Sequence, residues 1–365
     1  MAPEYGFGLV GCGVISSVHF KALEMVERAN LVATCDIIEE RAEKAAEEYG
    51  AEAYYTDFKD LLARDDIDVV HVTTPSSHHH VVSIAASEAG KHSFVTKPID
   101  ITLDKIDAMI EAAEANDVKL AAAHQFRSYD SYRQLKRAID EGRMGELYYG
   151  NAFVPWWRAQ DYYTDRWQGT WEHDGGGALM NQSVHWVDLL VWMMGDVAEV
   201  CGYADTKAHE METEDIGTAA VQFTSGAHGV IQGTTLTYKG MSTRLEVHGS
   251  KGNVVIEADR ITHWDVEGEE SLAEGSAEDE ETSAADPMAG LGDAVGAHRF
   301  QVEALLDWIE GTGEPFVTGR DARRPVEVNL AIYASQRTGE KVSLPLEVGA
   351  EVGFEEKSVY SRGKA

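Results

Sequence analysis

The chain has 365 residues, 44% of them hydrophobic, which is length enough for two domains and a large buried core. Asp and Glu number 63 against 31 Lys and Arg, and the net charge of −32 disfavours nucleic acid and anionic membranes as partners and fits a halophilic, salt-screened cytoplasm. No apolar run reaches the roughly 18 residues of a membrane span, and three cysteines (Cys12, Cys35, Cys201) without CxxC spacing fit a reducing cytoplasm better than a disulfide framework or zinc site.

The start, Met1-Ala2-Pro3-Glu4-Tyr5, shows no basic, apolar leader and runs straight into a strand over 5–10. A helix is predicted over 17–28, a strand over 31–35 and a helix over 38–49. A strand over 67–72, a helix over 78–89, a strand over 93–95, a helix over 103–116 and a strand over 119–123 follow. Strands alternating with helices of this length imply βαβ units and a parallel sheet. After residue 125 a helix over 129–141 leads into strand-like runs over 147–154, 197–205, 216–224, 227–238, 242–248 and 253–257. Helical stretches over 178–194 and 296–310 interrupt them. This pattern predicts a mostly antiparallel open sheet with helices on one face. The fold class is therefore α/β, with a doubly wound parallel sheet over 1–125 and an α+β domain over 126–365 that binds substrate and makes a homodimer or homotetramer. Residues 265–286 hold ten acids and read as a solvated loop or weak hairpin.

Gly11-Cys12-Gly13-Val14-Ile15-Ser16 is G-x-G-x-x-S between a strand and a helix. Gly11 permits the tight turn, Gly13 lets backbone approach a pyrophosphate, and the helix start supplies N–H donors. Ser16 replaces the third glycine, a mild departure. Asp36 ends the second strand, where a carboxylate accepts from both ribose hydroxyls of NAD and repels the 2′-phosphate of NADP. The competing reading of Asp36 is a cap for the helix after it. Arg41 reads as an ordinary helix-surface residue.

Thr73-Thr74-Pro75-Ser-Ser-His-His79 and Gly90-Lys91-His92-Ser-Phe-Val-Thr96-Lys97-Pro98 resemble the Gfo/Idh/MocA oxidoreductases. The resemblance continues through His124-Gln125-Phe126-Arg127, through Asp174-Gly175-Gly176-Gly177-Ala-Leu-Met-Asn181-Gln-Ser-Val-His185-Trp-Val-Asp188, and to Ala331-Ile332-Tyr333-Ala-Ser335. It implies an N-terminal Rossmann domain holding NAD through Gly11, Gly13, Val14, Ile15, Asp36, Thr73, Thr74, Pro75, His79 and Lys97. It also implies that Lys97 lies beside the nicotinamide and the reacting carbinol, after a Lys–Pro peptide that is often cis. Thr96 stands where the family usually has Glu.

Asn181, His185 and Asp188 share one helix face by their spacing. Many members of the family carry Asp at position 181, so Asn181 removes that carboxylate support from His185. The proton of the reacting hydroxyl then goes to Lys97 or His185. Six of the eight tryptophans lie between 156 and 192, and aromatic faces suit sugar rings. The substrate set is Lys97, Gln125, Arg127, Trp157, Arg158, Trp167, Asn181 and His185, with Arg158 a candidate anchor for an anionic group. His78-His79-His80 cannot all face one ion from a helix, and no metal is expected. The implied activity is an NAD-dependent dehydrogenase oxidising a secondary hydroxyl of a sugar, polyol or sugar derivative. Three alternatives stay open: a UDP-N-acetylglucosaminuronate-type 3-dehydrogenase, a glycosidase that retains NAD, and a non-catalytic redox-sensing binding protein.

Overall fold

The computed structural model describes residues 4–164, 166–274 and 293–346. Short apolar runs separated by helices of alternating burial form the first layer. In chain order these are β1 (Tyr5–Val10), α1 (Ser16–Glu24), β2 (Ala29–Cys35), α2 (Glu39–Tyr49), β3 (Ala53–Tyr55), α3 (Phe58–Leu62), β4 (Val69–Val72), α4 (His79–Glu88), β5 (His92–Thr96), α5 (Leu103–Ala115) and β6 (Leu120–Ala123). They make a six-stranded parallel sheet in the order β3-β2-β1-β4-β5-β6. The order reverses between β1 and β4, the crevice where open α/β sheets take their ligands.

The chain continues through α6 (Asp130–Asp140), β7 (Leu147–Pro155), a π-helical turn at Ala178–Ser183 that runs into α7 (Val184–Met194), β8 (Val197–Asp205), β9 (Ile216–Phe223), β10 (His228–Thr234), β11 (Arg244–Gly249), β12 (Gly252–Glu257) and β13 (Arg260–Val266). It ends with α8 (Ala294–Glu310), α9 (Gly319–Thr338) and β14 (Val342–Ser343). The second sheet has eight strands in the order β13-β12-β11-β7-β10-β9-β8-β14. All its pairs are antiparallel except β7 with β10. Burial alternates residue by residue along β9, as a sheet with one face packed requires.

The chain divides into two compact units, Met1–Gln125 with Asp293–Arg323 and Phe126–Gly292 with Arg324–Ala365. The sequence reading kept 293–323 with the second domain. Its helix α8 instead packs Val302, Leu305 and Leu306 against Phe7, Val69 and Phe94 of the parallel sheet. Arg28, just before β2, holds it there through Asp307 (2.7 Å) and Glu310 (3.0 Å). The helix expected over 17–28 accordingly stops at Glu24, and the chain is already turning into β2 by Ala29. β3 and α3 are too short to show a period, and α9 was hidden by Pro325 inside it. In the acidic stretch, residues 265 and 266 belong to β13 and residues 275–286 lie outside the described ones.

Three buried histidines meet in the first unit. The His19 ring lies 4.5 Å from His71 and 4.2 Å from His298, and Phe94 lies 4.6 Å from His71. Burial pushes His19 and His71 well below 6.5 and His298 down to about 4, so all three fold neutral. Below 6.5 the unfolded chain takes up protons that the folded chain refuses, and stability falls with pH toward about 4. Each histidine held neutral weakens folding about tenfold per pH unit. The Tm is therefore expected to drop between about pH 7 and about pH 5, and less steeply in His298→Leu; parallel slopes would show that His298 contributes nothing.

Candidate functional site

The nucleotide end forms where β1, β2, β4 and β5 finish. Gly11 has φ +101°, and a Cβ there would sit 2.7 Å from the backbone of Thr73 and Thr74. A Cβ on Gly13 would meet no atom within 4 Å, so this glycine keeps open a cradle that any side chain would fill. Ser16, at the third-glycine position, is buried and donates its hydroxyl to the Gly13 carbonyl at 2.6 Å. Val14 is 78% exposed and Ile15 half-buried on the same loop. The Asp36 carboxylate accepts the N–H of Cys12 and the N–H of Ile38, both at 2.8 Å. It is not the helix cap, a position that Ile38 occupies without a side-chain bond; it closes a turn just before α2 and ties the glycine loop. A carboxylate has about four acceptor positions, so two remain for a ribose diol.

From the β4 side, Thr73 donates its hydroxyl to the Gly11 carbonyl at 2.6 Å. The Thr74 hydroxyl is buried and has no hydrogen-bond partner among the described residues, and Pro75 begins the next turn. An open cradle at a helix start, a carboxylate with spare acceptors and an orphaned hydroxyl together fit a dinucleotide. His79 is 1% exposed and acts as a strut. Its Nε2 faces the Thr74 carbonyl at 2.9 Å and its Nδ1 faces the Pro98 carbonyl at 2.9 Å. Burial lowers its pKa, while Asp100 and the surrounding carbonyls oppose that. Thr96, standing where the family usually has Glu, brings its hydroxyl to His79 Nε2 at 3.2 Å. Lys97 is half-buried at the end of β5, and its peptide bond to Pro98 is cis. The three consecutive histidines go separate ways: His78 meets the Ser77 hydroxyl, His79 the two loops, and His80 Asp100.

In the second unit, α7 carries the other candidates. Arg127, expected at the substrate, is 2% exposed and grips Asp188 bidentately, Nε to Oδ2 at 2.8 Å and Nη2 to Oδ1 at 2.6 Å. Trp192 lies 5.2 Å from its guanidinium. The buried pair pins α7, so Arg127 acts through the helix and Asp188 is its counter-ion. His185 is 3% exposed, with the Phe126 ring edge-on at 4.9 Å. Asn181 donates its amide to Asp174, whose other oxygen accepts the Gly169 N–H at 2.9 Å. Gln182 bridges the Asn181 carbonyl (2.9 Å) and the Tyr162 hydroxyl (3.1 Å). A carboxylate thus stands directly behind Asn181. In the sequence Asp174 stands only as the start of the glycine run and gives no sign of this role, because the bond needs the turn at 175–177 to bring the two together.

Trp157 is half-buried, bridges to Leu236 and meets the Tyr238 ring at 6.1 Å. The Arg158 guanidinium lies over Trp156 (4.9 Å) and Tyr162 (5.4 Å). Trp167 is half-buried, and Gln125 is buried at the end of the first unit. A cavity of about 380 Å³ lined by Gln134, Arg137, Arg143 and Trp264 shares none of these residues.

Removing one partner of a buried ion pair leaves the other charge stranded. Arg127→Met is expected to cost about 3–5 kcal/mol in denaturant unfolding, and adding Asp188→Leu to recover most of it. Additive losses in the double variant would show that the two side chains are not coupled.

Residues 5–124 match the family profile described as "Oxidoreductase family, NAD-binding Rossmann fold", and residues 132–255 match the "GFO/IDH/MocA C-terminal domain" profile. Myo-inositol 2-dehydrogenase of Thermotoga maritima is 30% identical over 262 residues, 70% of this chain and 76% of its own. D-apiose dehydrogenase of Paraburkholderia graminis is 27% identical over 92% of this chain and 88% of its own. Among solved structures, the WlbA dehydrogenase from Bordetella pertussis in complex with NADH and UDP-GlcNAcA superposes with a TM-score of 0.84. It is 33% identical, covering 95% of this chain and 99% of that one.

Proposed function

The chain belongs to the Gfo/Idh/MocA family of NAD-binding oxidoreductases, and from that premise we propose that it is an NAD-dependent dehydrogenase oxidising a secondary hydroxyl of a sugar or polyol. The observation that carries the reading is Asp36, fixed at the end of β2 by the glycine loop with acceptor positions to spare beside the Gly13 cradle. Asp36 holds the adenosine ribose, the N–H groups at the start of α1 hold the pyrophosphate, and Thr74 offers its unmatched hydroxyl. When bound, NAD⁺ would supply the acceptor for the hydride that leaves the carbinol carbon. The protein takes the hydroxyl proton, on Lys97 or on His185. Asn181, with Asp174 behind it, and Trp157, Arg158 and Trp167 orient the sugar. The relatives' activities on inositol and apiose support this substrate class. The charge of −32 supports a salt-rich cytoplasm, and exposed Tyr149 and Tyr203 on the second sheet support a homo-oligomer.

Two variants test the reading, after NAD reduction is screened at high salt over inositols, free sugars, uronates and UDP-sugars. Lys97→Ala is expected to lose turnover by about a hundredfold or more while NAD binding survives; near-normal turnover removes Lys97 from the chemistry. Asp36→Ala is expected to weaken NAD about tenfold, roughly 1.4 kcal/mol, and NADP far less. Equal losses for both cofactors would put the ribose contact elsewhere.

A further inference from the structure

The glycine run at 175–177 is explained by a residue 37 positions beyond it. Glu214 is 1% exposed, and it meets three successive peptide N–H groups at the entry of the helical segment that carries Asn181 and His185. Its Oε2 accepts from Gly177 at 2.9 Å and its Oε1 from Leu179 at 2.8 Å. Its backbone carbonyl accepts from Ala178 at 2.9 Å. Tyr333, on α9, donates its hydroxyl to Oε1 at 2.8 Å and holds the carboxylate in place. A Cβ on Gly177 would lie 2.1 Å from the Glu214 carbonyl, and one on Gly176 would lie 2.2 Å from the Tyr333 hydroxyl. The glycines are therefore what lets this clamp close on the chain.

The clamp leads directly to the candidate site. The Gly177 carbonyl accepts the N–H of Asn181 at 3.0 Å and of Gln182 at 3.3 Å. The peptide unit that carries this carbonyl, Gly177–Ala178, gives its N–H to the Glu214 backbone, and the carboxylate fixes the peptide units on either side of it, Gly176–Gly177 and Ala178–Leu179; Asn181 is seated from between them, and His185 lies one turn further along. Backbone carbonyls are available at any residue, but the two bonds to Gly177 and Leu179 need a side chain with two acceptor oxygens and the reach of Glu. Gln offers one oxygen, and its amide group would face an N–H.

We propose that Glu214, seated by Tyr333, is a positioning residue for the dehydrogenase reaction, setting Asn181 and His185 through the peptide units that flank the Gly177 carbonyl. This rests on the reading of Asn181 and His185 as substrate-facing groups. The groups that face the carboxylate are the N–H groups of Gly177 and Leu179, its own N–H and the Tyr333 hydroxyl, and no Lys, Arg or His among the described residues pairs with it. Burial pushes Glu214 up to about 7, against the pull of those donors. Once protonated, one oxygen becomes a donor and the clamp loses a bond.

The test compares Glu214→Gln with wild type, using the donor that reduces NAD fastest in the screen above. Gln imitates the protonated acid. At about pH 8.5 its kcat is expected to be down about tenfold with the Kd for NAD unchanged, and the ratio to wild type to approach one by about pH 6. A pH dependence belonging to Lys97 or His185 cancels in that ratio, and a purely structural loss leaves the ratio flat. A flat ratio, or full activity at every pH, overturns the proposal. Should Glu214→Gln fail to fold, Tyr333→Phe removes one donor to the carboxylate. The acid limb of kcat then moves to higher pH, and an unmoved limb overturns the proposal. His185→Asn serves as the control: full activity there defeats the reading of the site, whereas loss there with an unaffected Glu214→Gln defeats only the clamp.

Discussion

Where β1 and β4 leave the parallel sheet, their backbones pass so close that a single methyl group at position 11 would overlap Thr73 and Thr74. The arrangement of the nucleotide end follows from that approach. With no side chain between them, the Thr73 hydroxyl reaches the Gly11 carbonyl, and the Gly11 N–H reaches the Cys35 carbonyl at the end of β2. Asp36, the next residue, then lies within reach of the Cys12 N–H. Three strand ends are tied together by the loop's own peptide groups plus two short side chains. The backbone demands of the loop are met on the sheet side, which leaves the start of α1 to face the Gly13 cradle.

Much of this was legible because local pattern and tertiary role coincide. β1 and α2 fell within a residue of their expected places, since a buried strand and an amphipathic helix each announce their period over enough residues. β3, three residues long, cannot show one. α8 was seen as a helix, but its partner was not, because nothing in its own sequence says that Val302 and Leu306 complete the core under Phe7 and Phe94. The buried trio His19, His71 and His298 escaped for the same reason: its members come from α1, β4 and α8. At the candidate site the residue types were readable and their partners less so. Arg127 looked like a ligand for substrate because a free arginine and an ion-paired one read alike in sequence. The Asp174 carboxylate behind Asn181 is not readable because it meets Asn181 only across the glycine turn.

Among the buried carboxylates of the second unit, Asp174, Asp188 and Glu214 lie in or bond to the segment 169–188 in a chain whose charge is −32, and each is compensated differently. Asp188 has the guanidinium of Arg127, the tightest match in charge and geometry. Asp174 has the Asn181 amide and the Gly169 peptide. Glu214 has two peptide N–H groups and a phenol. The differences follow from what each must hold. A guanidinium suits the joint between Phe126-Arg127 and the middle of α7, where two packed elements meet and a rigid fork fixes both. It would not suit the entry of the segment, where the groups needing partners are peptide donors and a second set of donors would compete for the same oxygens.

A buried carboxylate facing only dipoles keeps a property that an ion pair gives up. An opposite charge beside a carboxylate holds it ionised over the working range, whereas neutral donors offset its desolvation only in part. Glu214 shows the outcome: with neutral donors and no cation it is pushed up to about 7, so its proton count changes around neutral pH. The glycines that admit it cost the segment conformational entropy, and Gly177 in particular has no room for anything larger. A tighter entry to the helix was available through an alanine and a capping serine. The chain instead places a carboxylate at that entry, on the peptide units that flank the carbonyl seating Asn181.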